Sequence, residues 1–293
     1  MRIPVSILFS IIICGLLALS CNGKRARLSE MVSLGRVDPR LEEASGLVAS
    51  VVNPGFFWVI NDSGNPPEIF LIDHQVKTRL VCTLFNGHNR DWEDIAIGAG
   101  PKPDKKYIYV ADIGDNWSQN ELKYIYRFEE PVLSTQNQLS IAQYDTLILR
   151  MPDGKTDAET ILIDPITNDF FLISKRADSA VVYFANYPSP KNTIVLQKKL
   201  VLPIARIVAG SISRDGTQIL LKNYEKVYFW KRAPDESLVK ALEKKPIELP
   251  YEREHQGEAI TWSDNGKEYF TLSEGKIGSS AELIAYKLKE VPK

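Results

Sequence analysis

Histidine, cysteine and methionine each occur only three times in this 293-residue chain, and that scarcity removes several chemistries at once. His74, His88 and His255 are scattered, with no pair at the spacing that holds a catalytic zinc on one helix. The chain has no Gly-x-Ser-x-Gly elbow, no phosphate-binding loop and no dinucleotide fingerprint. The usual hydrolase nucleophile and the common nucleotide cradles therefore lose support. Neither charge sign dominates: 36 basic residues face 37 acidic ones. No net field recruits nucleic acid or an anionic membrane. Long apolar runs are missing as well, with one exception at the N-terminus.

That exception follows Met1-Arg2, runs from Ile3 to Leu19 and ends at Ser20-Cys21. A charged start, an apolar stretch and a small-residue end read as an export signal. Leu17-Ala18-Leu19-Ser20-Cys21 resembles the bacterial lipobox. The resemblance implies a lipid on the Cys21 thiol, cleavage just before it, and attachment by acyl chains worth about 0.8 kcal/mol per buried methylene. An uncleaved membrane anchor is the alternative, because the run approaches the roughly 20 residues that cross a bilayer. The expected organisation is a lipoprotein signal peptide over 1–20, a lipidated tether over 21–30 and a single domain over 31–293. The tether is polar and basic without an acidic tract, which favours the periplasm-facing side of the outer membrane over surface display. Cys14 leaves with the signal and Cys21 carries lipid, so Cys82 has no disulfide partner and reads as a small buried hydrophobe.

What the chain has instead is repetition. Five pentapeptides align without gaps: Glu-Ala-Ser-Gly-Leu at 43–47, Asp-Trp-Glu-Asp-Ile at 91–95, Asp-Ala-Glu-Thr-Ile at 157–161, Val-Ala-Gly-Ser-Ile at 208–212 and Gln-Gly-Glu-Ala-Ile at 256–260. Each leads into a dense apolar stretch and then a second one, with turn chemistry before the first: Asn53-Pro-Gly, Gly100-Pro-Lys-Pro-Asp, Asp164-Pro-Ile-Thr-Asn, Arg214-Asp-Gly and Asp264-Asn-Gly. Fourth, more polar strands are expected at 79–84, 144–149, 194–200 and 246–249. Four antiparallel strands repeated radially make a β-propeller. The fold expected is all-β, a five-bladed β-propeller, with a strand over Met31–Val37 closing the last blade. The longest spacing, between the pentapeptides at 91 and 157, keeps a six-bladed ring as the alternative, and a β-sandwich pair is the lesser one. A helix is expected from Pro234 to Lys245.

In a propeller the first strand of each blade lines the central channel, so residues aligned at its start share an axis. The third pentapeptide position holds Ser45, Glu93, Glu159, Gly210 and Glu258. Three carboxylates at one level repel unless a cation or basic side chains neutralise them. Second-strand ends add Asp62, Asp112, Lys175, Lys222 and Glu274, with Arg176 and Asp115 close by in sequence. Calcium suits an irregular ring of oxygens better than magnesium or zinc, and Glu93, Glu159, Glu258 and Asp112 are its candidate ligands. A salt-bridged network using Lys175, Arg176 and Lys222 is the competing arrangement. The first pentapeptide position, Glu43, Asp91, Asp157 and Gln256, is expected to point elsewhere or to sit at another depth. Trp92, Trp117, Tyr224 and Trp262 fall near loop ends, where they are placed to stack on a sugar or peptide.

With Trp-Val-Ile-Asn-Asp-Ser-Gly, Asp-Trp-Glu-Asp-Ile-Ala, Val-Ala-Asp-Ile-Gly-Asp-Asn and Asp-Ala-Glu-Thr-Ile-Leu-Ile-Asp-Pro laid out, the chain resembles a family of exported bacterial β-propeller lipoproteins. More distantly it resembles the SdiA-regulated and phytase-like propellers, some of which bind calcium in or beside the channel. The resemblance implies export, the propeller and calcium. It speaks less for phosphate-ester hydrolysis, because only Lys175, Arg176 and Lys222 are candidate phosphate partners. The expected function is a monomeric binding module for a ligand or protein at the channel mouth, with Asp62, Asp115, Lys175, Arg176, Lys222 and Glu274 around it. The alternative is a calcium-dependent phosphoesterase or esterase-like hydrolase.

Overall fold

A computed structural model describes residues 28–187, 192–275 and 281–290. The expected signal peptide, Cys21 and the expected tether as far as residue 27 lie outside the described residues. The chain folds into five small sheets. The first blade is built from Ala44–Ala49, Phe56–Asn61, Glu68–Asp73 and Thr78–Leu84, the second from Trp92–Ala99, Lys106–Asp112, Leu122–Glu129 and Asp145–Arg150. The third uses Ala158–Ile163, Phe170–Ser174, Ala180–Ala185 and Gln197–Leu202, the fourth Ala209–Ile212, Gln218–Lys222, Val227–Lys231 and Ile247–Leu249. The fifth takes Gly257–Trp262, Glu268–Ser273 and Glu282–Leu288 from the C-terminal end and Leu28–Arg36 from the N-terminal end. Innermost strands touch in circular order, first to second and onward until the fifth meets the first. The ring is a five-bladed propeller.

Closure occurs as the sequence suggests, by antiparallel pairing of Leu28–Arg36 with Glu282–Leu288, from Leu28 opposite Leu288 to Arg36 opposite Glu282, with register shifts between Leu28 and Glu30 and between Ser33 and Gly35. The strand starts three residues earlier than expected. The long spacing before the third pentapeptide hides no sixth blade. Its extra residues form Gln138–Ile141, which adds in parallel to the outer strand Thr78–Leu84 of the first blade. Ile194–Val195, expected to open the fourth strand of the third blade, instead adds in parallel to Asp145–Arg150 of the second. Buried Leu196 separates it from the true outer strand. Both additions cover the edges of long blades, where unpaired N–H and C=O groups would otherwise invite a foreign strand.

Each blade is buried on both faces, which is why its middle strands read as near-continuous apolar runs rather than as alternation. Along Phe56–Asn61, Phe57 and Val59 pack toward the fifth blade, while Trp58 and Ile60 pack toward the second. Five hydrophobic clusters result, one at each junction between neighbouring blades. Cys82 is fully buried at the first junction, a packing residue as expected. The helix is shorter than expected, Leu238–Glu243, capped by the Ser237 hydroxyl accepting the Lys240 N–H. Leu238, Ala241 and Leu242 close the junction of the third and fourth blades. Among the described residues no helix is long and apolar enough to cross a membrane.

Buried polar staples reinforce the junctions, among them those made by Glu130 and by Arg232 with Asp164. Glu130 accepts from the Ser50 hydroxyl at 2.6 Å, the Val51 and Val52 N–H groups and the Trp58 indole at 3.0 Å, tying the second blade to the first. Arg232 and Asp164 form a bidentate pair at 2.7 and 2.9 Å, both almost wholly buried, between the fourth and third blades.

Candidate functional site

The third pentapeptide residue occupies a special backbone position. In the first, second, third and fifth blades the pairing of inner and second strands skips one residue, and the residue skipped is Ser45, Glu93, Glu159 or Glu258. A bulge of this kind bends the strand and re-aims the extra side chain. The fourth blade has no bulge, and Gly210 pairs directly with Leu221. It has no room for a side chain either, because a Cβ there would meet the Thr160 methyl at 2.8 Å. Backbone irregularity and acidic character therefore coincide at Glu93, Glu159 and Glu258.

The acids gather in two overlapping groups. Asp62, Asp91 and Glu93 form one and Glu93, Asp157 and Glu159 the other, with carboxylate oxygens inside each group within 4.8 Å of one another. Glu93 belongs to both and is 4% exposed. Burial and then the neighbouring Glu159 carboxylate push its pKa well above the ordinary range. Burial likewise raises Glu159 to about 8 and Asp62 to about 6, and lifts Asp91 and Asp157. Gly114 makes the second blade's share possible. A Cβ at that position would stand 2.0 Å from Glu93 Oε1 and 2.4 Å from Asp91 Oδ2, so the two carboxylates rest on bare backbone.

Basic groups neutralise only part of this ring. Lys175 Nζ lies 2.8 Å from Glu159 and over the Tyr224 ring. Burial opposes its charge, yet the Glu159 carboxylate holds its pKa above that of an ordinary lysine. The Tyr224 hydroxyl donates to Glu258 at 2.5 Å, and Gln256 donates to Glu274. Burial and the adjacent Glu258 carboxylate raise Glu274 to about 8. Lys123, fully buried, pairs with Asp115 at 3.2 Å. On the side of the first and second blades, Asp62 receives the backbone N–H of Ser63.

Other expected residues lie elsewhere. Asp112 and Lys222 fall one register position short of Asp62, Lys175 and Glu274, opposite Trp92 and Ala209. That shift takes them out of both acidic groups. Asp112 pairs with Arg90 at 3.2 Å, and burial raises its pKa. Lys222 donates to the Gly257 carbonyl and lies over the Tyr251 ring, where burial lowers its pKa to about 8. Arg176 turns to the Thr156 hydroxyl. Asp115 spends its carboxylate on the Gln119 and Asn120 N–H groups of its own loop, while its N–H donates to Asp157 Oδ1 at 2.7 Å. Trp92 and Trp262 are buried in junctions and unavailable for stacking, whereas Trp117 is 84% exposed.

Asp91 and Asp157 were expected to point elsewhere, yet they join the groups. The sequence put Asp91 two residues from Glu93 and Asp157 two residues from Glu159, but the bulges at Glu93 and Glu159 break the regular alternation of the strand, so alternation alone did not decide that they meet. Asp94 carries no signal of its role in the sequence. It is 1% exposed and accepts the N–H groups of Ile95 and, across the junction, Ile161, so it fastens the second blade to the third.

No known protein family matches this chain in sequence, and no curated protein matches it either. Among solved structures, the crystal structure of a nidogen/laminin complex contains a similar chain at 11% identity and a TM-score of 0.46. The similarity covers 78% of this chain and 72% of that one.

Proposed function

We propose that this propeller is a binding module whose channel mouth holds a hard divalent cation of the calcium type. Glu93 is the central ligand, with Asp62, Asp91, Asp157 and Glu159 around it. One observation carries this reading: Glu93 is more than nine-tenths buried, is shared by both acidic groups, and is surrounded by the carboxylates of Glu159, Asp62 and Asp91. The donor set is all oxygen, as calcium prefers. Two oxygens each about 2.4 Å from one calcium lie no more than about 4.8 Å apart, the spacing found within each group. A bound cation would supply charge beyond that of Lys175, Arg90 and Lys123, which act on Glu159, Asp91 and Asp157, and would offer open coordination to an incoming ligand. Glu258, paired with Tyr224, and Asp112, paired with Arg90, are outside the proposed set.

The module works at the cell envelope in this reading, tethered through Cys21, and the lipobox sequence is what supports that part. Calcium titration of the mature chain, followed by melting temperature, tests the cation. A ligand at about a hundredfold excess over its Kd stabilises the folded state by about 2.7 kcal/mol. A flat response removes the cation. Release of p-nitrophenol from its phosphate ester, abolished by Glu159→Gln, would replace binding with hydrolysis.

A further inference from the structure

We infer that the loop after the second strand of the second blade is a saccharide platform, with Trp117 as the stacking surface and the proposed cation beside it. This deepens the binding reading and rests on it for one of its two contacts. Trp58, Trp92, Trp230 and Trp262 are between 0% and 3% exposed, while Trp117 is 84% exposed. A tryptophan displayed this way stays out of water only when something lies on it.

The loop is not loose. The Asp115 carboxylate accepts the N–H groups of Gln119 and Asn120 and the Asn120 side chain, and it is anchored by buried Lys123. Ser118 N–H donates to the Asp115 carbonyl at 2.7 Å. Two residues before Trp117, the Asp115 N–H holds Asp157, one of the proposed cation ligands, and Gly114 supports Asp91 and Glu93. Platform and acids are thus parts of one built unit.

The surroundings choose the chemistry. Asn116, Ser118 and Gln119 neighbour Trp117 in the chain and are exposed, neutral hydrogen-bonding residues. A sugar presents an apolar ring face for the indole, hydroxyls for amides, and vicinal hydroxyls that take open positions on a calcium ion. A peptide or an anionic ester matches less of this set, because no basic side chain stands in the stretch from Asn116 to Asn120.

The test uses maltotriose and mannotriose as probes and acrylamide quenching of tryptophan emission as readout, since quencher reaches Trp117 and not its four buried counterparts. With calcium present, a trisaccharide should shield the quenchable emission. Trp117→Ala should weaken trisaccharide binding, read by calorimetry, about tenfold, while leaving the calcium-induced rise in melting temperature intact. Trp117→Phe should recover part of the affinity. Absence of shielding by either sugar, with the calcium response retained, overturns the proposal. Shielding by a casein digest and not by sugars overturns it in favour of a peptide surface. Shielding by sugars that calcium neither strengthens nor stabilises keeps the platform and removes the cation.

Discussion

Glu93 stands among the like-charged carboxylates of Glu159, Asp62 and Asp91, and shares a hydrogen bond with Glu159, so its protonation and any cation compete for the same oxygens. Glutamine copies the shape of the protonated acid. Glu93→Gln should therefore melt close to the parent without calcium and lose most of the calcium response, from about 2.7 kcal/mol at hundredfold excess to below about 1. Undiminished calcium stabilisation in this variant would remove Glu93 from the centre of the site. The pH dependence follows from the same group. Folding raises Asp62 to about 6 and Glu159 and Glu274 to about 8, so between the ordinary carboxylate range and about pH 8 the folded state binds more protons than the unfolded one. Stability of the cation-free protein then falls as pH rises through that window. Calcium, which displaces those protons, should stabilise more at the upper end. Melting curves from about pH 5 to about pH 8, with calcium and with chelator, check both slopes, and a cation-free stability that climbs with pH would contradict them. Gly114→Ala should push Glu93 and Asp91 apart and abolish the calcium response. Aligned pentapeptides made Glu93, Glu159 and Glu258 legible in the sequence. The bulges were not, since a bulge is a relation between two strands and neither sequence contains it. For the same reason Asp112 and Lys222 were misplaced by one register step.

Strands and turns were more legible than their outer partners. Phe56–Asn61 or Phe170–Ser174 must be buried on both faces, and only a central blade strand satisfies that. Outer strands such as Ile194–Val195 and Gln138–Ile141 are short and partly exposed, so their pairing is decided by which edge lies nearest rather than by their composition. Leu28–Arg36 is an outer strand with a structural duty. Deleting it should expose the edge of Glu282–Leu288 and yield a protein that aggregates and melts without a sharp transition, read by light scattering during a thermal ramp. A soluble, cooperatively melting product would show that the ring holds without it. The junction staple through Glu130 offers a finer test. Glu130→Ala strands the Ser50, Val51, Val52 and Trp58 donors in a buried place and should cost about 3 kcal/mol or more in urea unfolding. Glu130→Gln keeps an acceptor oxygen and should cost less. Equal losses in both would assign the effect to packing.

At the scale of the molecule, the absence of a single central core matters most. Five clusters lie between blades, each shared by two neighbours, so no blade buries its faces alone and loss of one exposes two others. The polar channel is left free for function by this division of labour. If Cys21 carries the lipid, Cys21→Ala should move the protein from the membrane pellet to the soluble fraction while calcium binding persists. Retention in the pellet would point to the uncleaved apolar run. The position of the closing strand has one more consequence, a mechanical one. If residues before Leu28 are the proposed tether, it joins the domain at the first residue of the strand that closes the ring. Any tension between the envelope and a captured ligand would therefore be carried by the hydrogen bonds of Leu28–Arg36 against Glu282–Leu288 before it reached a junction. The force limit of the whole assembly would be set by that one pair of strands.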